Sequence, residues 1–359
     1  MPELPEVETV ARDLRPRVTG ARIADVRCTW DRTVRSGDVR GFASALVGRT
    51  IAGTGRRAKL VLLELDDGRA VTIHLKMTGQ LFVVPASLPV DPYVRLAIAF
   101  DDGRELRFRD IRKFGRVGLA TRDAASGELV EEADGRRDRR GFGPEPLDPA
   151  FDLAAFRRRL RRRRGRLKPT LMDQAFIAGV GNIYADEALW AARLHPLRTI
   201  ATLRPADERR LFAELRRILG EAVERRGSSI DDYTAPDGDG EMQEQLQVYQ
   251  RTGEACPRCG RPVRRIVVGA RATHLCTWCQ RLPAADRRAA AAILRSMAPR
   301  PGAAGTEPTV RRGGRWTELA PDGTVGLTPG EAARAAAVAR TDRTRRAAAA
   351  RRAAARGTA

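Results

Sequence analysis

The chain has 359 residues, 42% of them hydrophobic and 5% aromatic, and its 66 Lys and Arg outweigh 45 Asp and Glu to give a formal net charge of +21. That length predicts two or three domains with real cores, and that charge predicts a polyanionic partner, nucleic acid by default. Four of the five cysteines form one tight group apart from Cys28, which excludes a secreted disulfide scaffold; with no apolar stretch of spanning length and no signal-peptide core, a soluble cytoplasmic protein is expected.

The N-terminus reads MPELPEVETV. Removal of Met1 before the small Pro2 would leave a proline with a free secondary amine, a nucleophile; the alternative is that Pro2 and Pro5 only stiffen the entry to a helix. Val7, Val10, Ala11, Leu14 and Val18 recur at helical spacing until Gly20. From Arg22 to about Arg122 short alternating runs and two DDG turns predict an antiparallel sandwich or barrel of about eight strands, closing a first domain over 2–122. Residues 123–149 have the polar, Gly/Pro-marked composition of a linker. Four helical stretches, FRRRLRRRR, LMDQAFIAGV, ADEALWAARL and DERRLFAELRRILGEAVERR, predict an α domain over 150–232.

Residues 233–282 begin as a Gly/Asp-rich loop, expected to be mobile, and continue into two CxxC pairs 16 residues apart. Cys256, Cys259, Cys276 and Cys279 offer two thiolate knuckles joined by an alternating run, a strong signal for one structural zinc ion on a hairpin. With four thiolates present, His274 is read as a hairpin side chain, and His74 and His195 as structural. Residues 283–359 turn Ala/Arg-rich; from Ala285 onward 15 Arg stand against 6 acidic residues, and a disordered basic tail is expected, either a nonspecific phosphate brush or an idle extension.

PELPEVET, RRAKLVLLEL, IHLKMTGQL, RDIRKFGR, GPEPL, LKPTLMDQAFIAGVGNIYADEALW and the zinc segment, in that order from Pro2 to about Gln280, resemble the formamidopyrimidine-DNA glycosylases of the Fpg/Nei group. The resemblance implies an α+β multidomain protein: an N-terminal antiparallel β-sandwich with an N-terminal helix, a helix-two-turn-helix domain and a zinc-finger hairpin. It implies a monomer that acts on damaged double-stranded DNA, with no membrane partner, excising oxidised bases and nicking the abasic site. Pro2 is then the Schiff-base nucleophile. Attack followed by β-elimination needs an amine that forms an iminium, and a terminal amine, with an ordinary pKa near 8, is about one-tenth unprotonated at pH 7, far more than lysine.

The resemblance further implies Glu3 as general acid/base, Lys59 as proton donor and phosphate contact, and Arg271 as the arginine that holds a phosphate and assists δ-elimination. Arg163, Lys168 and Asn182 are implied DNA contacts, Asn182 within a GVGN clamp. Met77, Arg112 and Phe114 are implied to fill the void left by the flipped base, with Arg112 reading the orphan partner. Read singly, Met77 and Phe114 suit a core, Lys59 a strand edge and Lys168 a solvated charge run. Two departures bear on lesion preference: SSIDDY puts acid where some relatives carry a loop lysine, and Asp91 and Tyr93 stand where some family members have histidines near a DNA contact. PELPEVET favours oxidised purines; an endonuclease VIII-like enzyme for oxidised pyrimidines and a noncatalytic zinc-containing damaged-DNA-binding protein are the alternatives.

Overall fold

The computed structural model describes residues 1–35, 37–123, 129–131, 141–229 and 240–295. Helix α1 (Leu4–Val18) starts where the Glu3 amide donates to the Glu6 carboxylate (2.8 Å), and it ends as Gly20 takes φ +84°. Its stripe of Val7, Val10, Ala11, Leu14 and Val18 is buried, as helical periodicity requires. Then come β1 (Ile23–Cys28), α2 (Val39–Leu46), β2 (Ile51–Arg57), β3 (Leu60–Leu65), β4 (Ala70–His74), β5 (Gly79–Pro85), β6 (Val94–Phe100), β7 (Arg104–Asp110), β8 (Arg116–Arg122) and β9 (Leu129–Glu131). They form two antiparallel sheets, β1-β6-β7-β5 and β2-β3-β4-β8-β9, so the sandwich is the outcome. Ile98 and Phe108 of one sheet meet Leu63, Ile73 and Val117 of the other, with α1 along the same core.

Two parts of this region differ from the sequence expectation. Helix α2 interrupts the strands: Asp38 caps it by accepting from the Gly41 amide (2.6 Å), and Phe42 and Leu46, one turn apart, enter the core. The expected linker is also partly structured. Strand β9 pairs with β8 within it, and farther on the Glu145 carboxylate accepts from Arg57 Nη1 (2.8 Å) and the Ala58 amide (2.7 Å) while pairing with Arg56 (2.7 Å). Composition suited both pieces to a linker because β9 is only three residues long and the donors to Glu145, Ala58 and Arg57, lie 87 and 88 residues away in sequence.

The helical body comprises α3 (Leu153–Arg161), α4 (Leu167–Met172), α5 (Asn182–Ala191) and α6 (Pro205–Glu224), around Phe156, Phe176, Tyr184, Leu189, Leu211 and Leu215. LMDQAFIAGV was expected to be one helix, but α4 stops at Met172. There Asp173 accepts from the Ala175 amide (2.9 Å), while Gln174 donates to the Met172 and Val180 carbonyls (3.0 and 2.8 Å) and accepts from Gly179 N (2.9 Å). Side-chain bonds to local backbone compete with helix continuation, and here they shape the 173–181 loop.

The hairpin of β10 (Arg264–Val268) and β11 (Arg271–Leu275) turns at Gly269 and Ala270, both with positive φ (56° and 60°), as a tight two-residue hairpin turn requires. The segment expected to be wholly disordered instead opens with α7 (Ala284–Arg295). The acidic positions 231 and 232 and the tail beyond residue 295 lie outside the described residues.

Candidate active site and DNA interface

Helix α5 organises the centre. Its first turn presents unsatisfied N–H groups and the positive end of its dipole, and the Glu3 carboxylate meets them, accepting from Gly181 N (2.7 Å), Ile183 N (2.9 Å) and Tyr184 N (3.4 Å). Glu3 is only 2% exposed. The neighbouring Leu4 amide bonds the Gly179 carbonyl (3.0 Å), so the GVGN loop seats the N-terminal peptide. Both glycines are needed for that seat. A β-carbon at Gly181 would lie 2.3 Å from Glu3 Cδ and 2.6 Å from Lys59 Nζ, and one at Gly179, already at φ +79°, 2.6 Å from Leu4 Cβ.

Lys59 enters this pocket from the β2–β3 turn, held in place by Glu145 on its neighbour Ala58. Burial pushes the Glu3 carboxyl above the usual carboxylate range, opposed by the Lys59 ammonium, and burial pushes Lys59 below the usual lysine range, opposed by Glu3 and Glu6. Both groups therefore move toward their neutral forms, which suits a pair that exchanges protons. Arg271, exposed at the hairpin end, and Lys76 add to the lowering of Lys59, placing two more cations around the pocket. Pro2 is buried next to Glu3, with Met1 ahead of it and 40% exposed.

Sequence reasoning missed the supporting carboxylates of this frame. Glu6 accepts from Tyr184 Oη (2.5 Å) and the Ser228 amide (2.8 Å), binding α1 to α5 and to the chain just past α6. Glu187 accepts three successive amides, Gln247, Val248 and Tyr249 (2.9, 2.9 and 2.8 Å). Asp186 accepts from the His274 amide (2.8 Å) and ties β11 to α5, which gives the structural role expected for His274. His74 accepts from the Lys76 amide (3.1 Å) and is pushed down to about 3 by burial; His195, at about 4, accepts from Leu197 N (3.1 Å). Both imidazoles are thus neutral and structural. The signal available in sequence was the run NIYADE on a helix, whose polar side chains face partners on every side.

Lys168 requires a correction. Rather than facing DNA, it is completely buried, paired with Asp186 at 2.6 Å and donating to Thr273 Oγ1 (2.8 Å) and the Ala272 carbonyl (3.2 Å). It braces the hairpin behind Arg271. Lys168→Ala would leave Asp186 an uncompensated buried charge, so a denaturant titration is expected to show about 3–5 kcal/mol of lost stability.

Asn182 Nδ2 donates to the Ala272 carbonyl (3.0 Å), and its buried Oδ1 has no hydrogen-bond partner among the described residues. Arg163 pairs with Asp173 (3.0 Å) and lies over Phe176 (5.9 Å).

The three void-filling candidates occupy two loops joined by one buried carboxylate. Asp110 accepts from Thr78 Oγ1 (2.5 Å), Arg112 N (3.2 Å) and Gly115 N (2.7 Å), linking the Met77 turn to the Arg112–Phe114 turn. Phe114 is 48% exposed with the Arg112 guanidinium over its ring at 5.0 Å, and Met77 is half-buried. The core placement open to Phe114 is therefore not adopted. The departures at Asp91 and Tyr93 are absorbed locally: Asp91 accepts from Arg109 Nε (2.7 Å), and the Tyr93 ring packs between Arg95 (5.6 Å) and Arg109 (5.3 Å).

Thiolates about 2.3 Å from a tetrahedral zinc ion would be about 3.8 Å apart. The Cys256 and Cys279 sulfurs are 4.0 Å apart, those of Cys259 and Cys276 3.5 Å, and all four lie within 4.8 Å of one another. The set fits one zinc ion, with Trp190 Nε1 donating to Cys256 Sγ (3.4 Å) as an outer support.

The buried N-terminal acid of the sandwich thus caps a helix of a second, helical body, and a four-thiolate hairpin completes the assembly. Three family models match in order: the formamidopyrimidine-DNA glycosylase N-terminal domain over 1–117, its H2TH domain over 142–234, and the zinc finger found in FPG and IleRS over 253–282. The formamidopyrimidine-DNA glycosylase of Herpetosiphon aurantiacus is 45% identical over 282 residues, spanning 78% of this chain and 100% of that protein. The Geobacillus kaustophilus counterpart is 41% identical over 283 residues, with shares of 78% and 100%. Among solved structures, Lactococcus lactis Fpg in complex with abasic-site DNA superposes with a TM-score of 0.69 at 35% identity, covering 78% of this chain and 99% of that one. Thermus thermophilus MutM gives 0.68 at 41%, covering 79% and 100%. The chain belongs to the formamidopyrimidine-DNA glycosylase family.

Proposed function

We propose that this protein removes oxidised purines, 8-oxoguanine and formamidopyrimidines, from duplex DNA and then cuts the abasic strand by β,δ-elimination, with the amine of Pro2 as nucleophile. The observation that carries this reading is the buried Glu3 carboxylate, clamped on the α5 N-terminus beside Lys59 and one residue from Pro2. A binding module has no use for a buried carboxyl and a buried ammonium pushed toward neutrality at its first residues, whereas elimination chemistry needs both.

Once Met1 is removed, the Pro2 lone pair attacks the sugar carbon bearing the damaged base, and the base departs with a proton. Glu3, whose carboxyl burial pushes above the usual carboxylate range, protonates the ring oxygen as the sugar opens, and the resulting iminium acidifies the adjacent C–H bond. Lys59 and Glu3 relay protons while β-elimination expels the 3′ phosphate, and Arg271 holds the phosphate lost in the δ step. Met77, Arg112 and Phe114 fill the emptied stack. Asn182 and Arg163 contact the backbone, and the crowded cations Lys76 and Arg116 give the same mouth further phosphate affinity. The sandwich supplies the nucleophile, the helical body the clamp and the hairpin the arginine, a division near residues 122, 150, 232 and 282. The reaction takes place in the cytoplasm, on chromosomal DNA.

The purine preference draws support from a mutant of Lactococcus lactis Fpg, solved with Fapy-dG-containing DNA at 36% identity to this chain. A panel of single-lesion duplexes tests it: 8-oxoguanine and formamidopyrimidine opposite cytosine should turn over fastest, and a preference for oxidised pyrimidines would replace this reading with the endonuclease VIII-like one. In the same panel Arg112→Ala should flatten the preference for 8-oxoguanine opposite cytosine over adenine by about 1–3 kcal/mol of discrimination, because a guanidinium suits the acceptors of cytosine. An unchanged ratio removes Arg112 from that role.

A further inference from the structure

The matched zinc finger ends at residue 282, and about four-fifths of this chain spans its relatives in full, yet α7 begins directly afterward. Its Asp286 is 2% exposed and accepts from two hydroxyls of the helical body, Thr199 Oγ1 and Thr202 Oγ1, both at 2.7 Å. From the same body Arg166 Nη2 donates to the Ala289 carbonyl (2.9 Å). One turn past Asp286, Ala290 is buried, and with Ile293 and Leu294 it joins a small core formed by Leu197 of the helical body and Ile266, Val268 and Leu275 of the hairpin. Val268 is the cross-strand partner of Arg271. The hairpin is thus held from two sides: β11 on α5 through Asp186, and β10 under α7.

We propose that α7 is a positioning element for the δ-elimination step, a strut that fixes the β10 face of the hairpin and so sets where Arg271 meets the phosphate, with Asp286 as its anchoring residue. The proposal rests on the role given to Arg271 above. A hairpin held only at β11 and at the zinc knuckles can pivot about that edge, and the tip moves most because it is farthest from the knuckles. Base excision depends on Pro2 and Glu3, which do not touch α7, so only the later step should suffer.

The test compares two truncations of the zinc-loaded protein with the full chain. Ending the chain after Arg295 keeps α7 and removes a tail with 12 Arg and 5 acidic residues; ending it after Pro283 removes both. The longer truncation should match the full chain in product ends while showing a shallower fall of DNA affinity with salt. The shorter should retain one zinc ion and normal base excision, lose hydrogen-exchange protection over 264–275, and convert β-elimination ends to 3′-phosphate ends about 10- to 100-fold more slowly. Full-length Asp286→Ala should show the same split in weaker form and covers the case in which the short chain fails to fold. Equal exchange and equal product ends in the two truncations overturn the strut. If the full chain yields no δ product at all, the assignment of Arg271 fails instead, and the exchange data alone still decide whether α7 holds the hairpin.

Discussion

A chain that keeps Met1, or carries a tag ahead of Pro2, is expected to lose nicking and borohydride-trapped crosslinking together, by about three orders of magnitude or more, while still binding damaged duplex. The reason is electronic: acylation turns the secondary amine into an amide whose lone pair is delocalised into the carbonyl, so no iminium forms. Binding persists because Asn182, Arg163 and the hairpin are unaltered. The processed chain should give a reduced protein–DNA adduct on damaged duplex only, and mass spectrometry should place it on the peptide beginning at Pro2. The structure supplies a real competitor, since burial pushes Lys59 below the usual lysine range within the same pocket. An adduct on Lys59, or full nicking by a chain proven to retain Met1, moves the nucleophile to that lysine.

Removal of zinc, by chelation or by Cys256→Ala, is expected to abolish nicking while the β-sheet circular dichroism of the sandwich persists. Structural zinc contributes about 10–16 kcal/mol in small zinc modules, more than the folding free energy of a hairpin of this size. The buried core around the zinc site, Trp190, Val248, Cys256, Val263 and Cys276, shares no residue with the sandwich core, so the loss should remain local. Without the metal the hairpin as a whole unfolds, so its hold on the DNA is lost together with the place of Arg271 in the δ step, even with α7 present, because α7 grips β10 and leaves the cysteine knuckles to the metal. Nicking that survives with zinc shown to be absent refutes this role for the hairpin.

What could be read from the sequence followed from the range of the interaction responsible. The stripe of α1, the alternation of the strands and the two CxxC knuckles are local patterns, and each led to its element. Helix α2 was hidden because only Phe42 and Leu46 of its eight residues are fully buried, with Val39, Ala43 and Ala45 packed on the core only in part, too little to outweigh the strands around it. Helix α7 was concealed by Ala/Arg composition, although Leu282, Asp286, Ala290 and Ile293 stand at helical spacing; the buried position on that face nearest its start is an aspartate, which an apolar count overlooks. At the site, family motifs led to Glu3 and Lys59, and the structure places the two side by side. The same motifs drew Lys168 toward DNA because it ends a run of arginines, whereas its partner, Asp186, lies on another helix. Glu145 escaped notice for a similar reason, since nothing near it in sequence shows that its carboxylate holds the turn bearing Lys59.

The seat of the N-terminus imposes an order in time. Glu3 closes onto Gly181 across 178 residues of chain, so at about 5–20 residues per second the first residues wait roughly 10–35 s on the ribosome before their binding loop has been made. During that interval Met1 is accessible to an aminopeptidase. Once α5 forms and captures Glu3, Pro2 is buried while Met1 remains 40% exposed. If Pro2 is the nucleophile, as proposed, a chain that closes with Met1 retained is expected to bind damaged DNA without nicking it until that residue is removed.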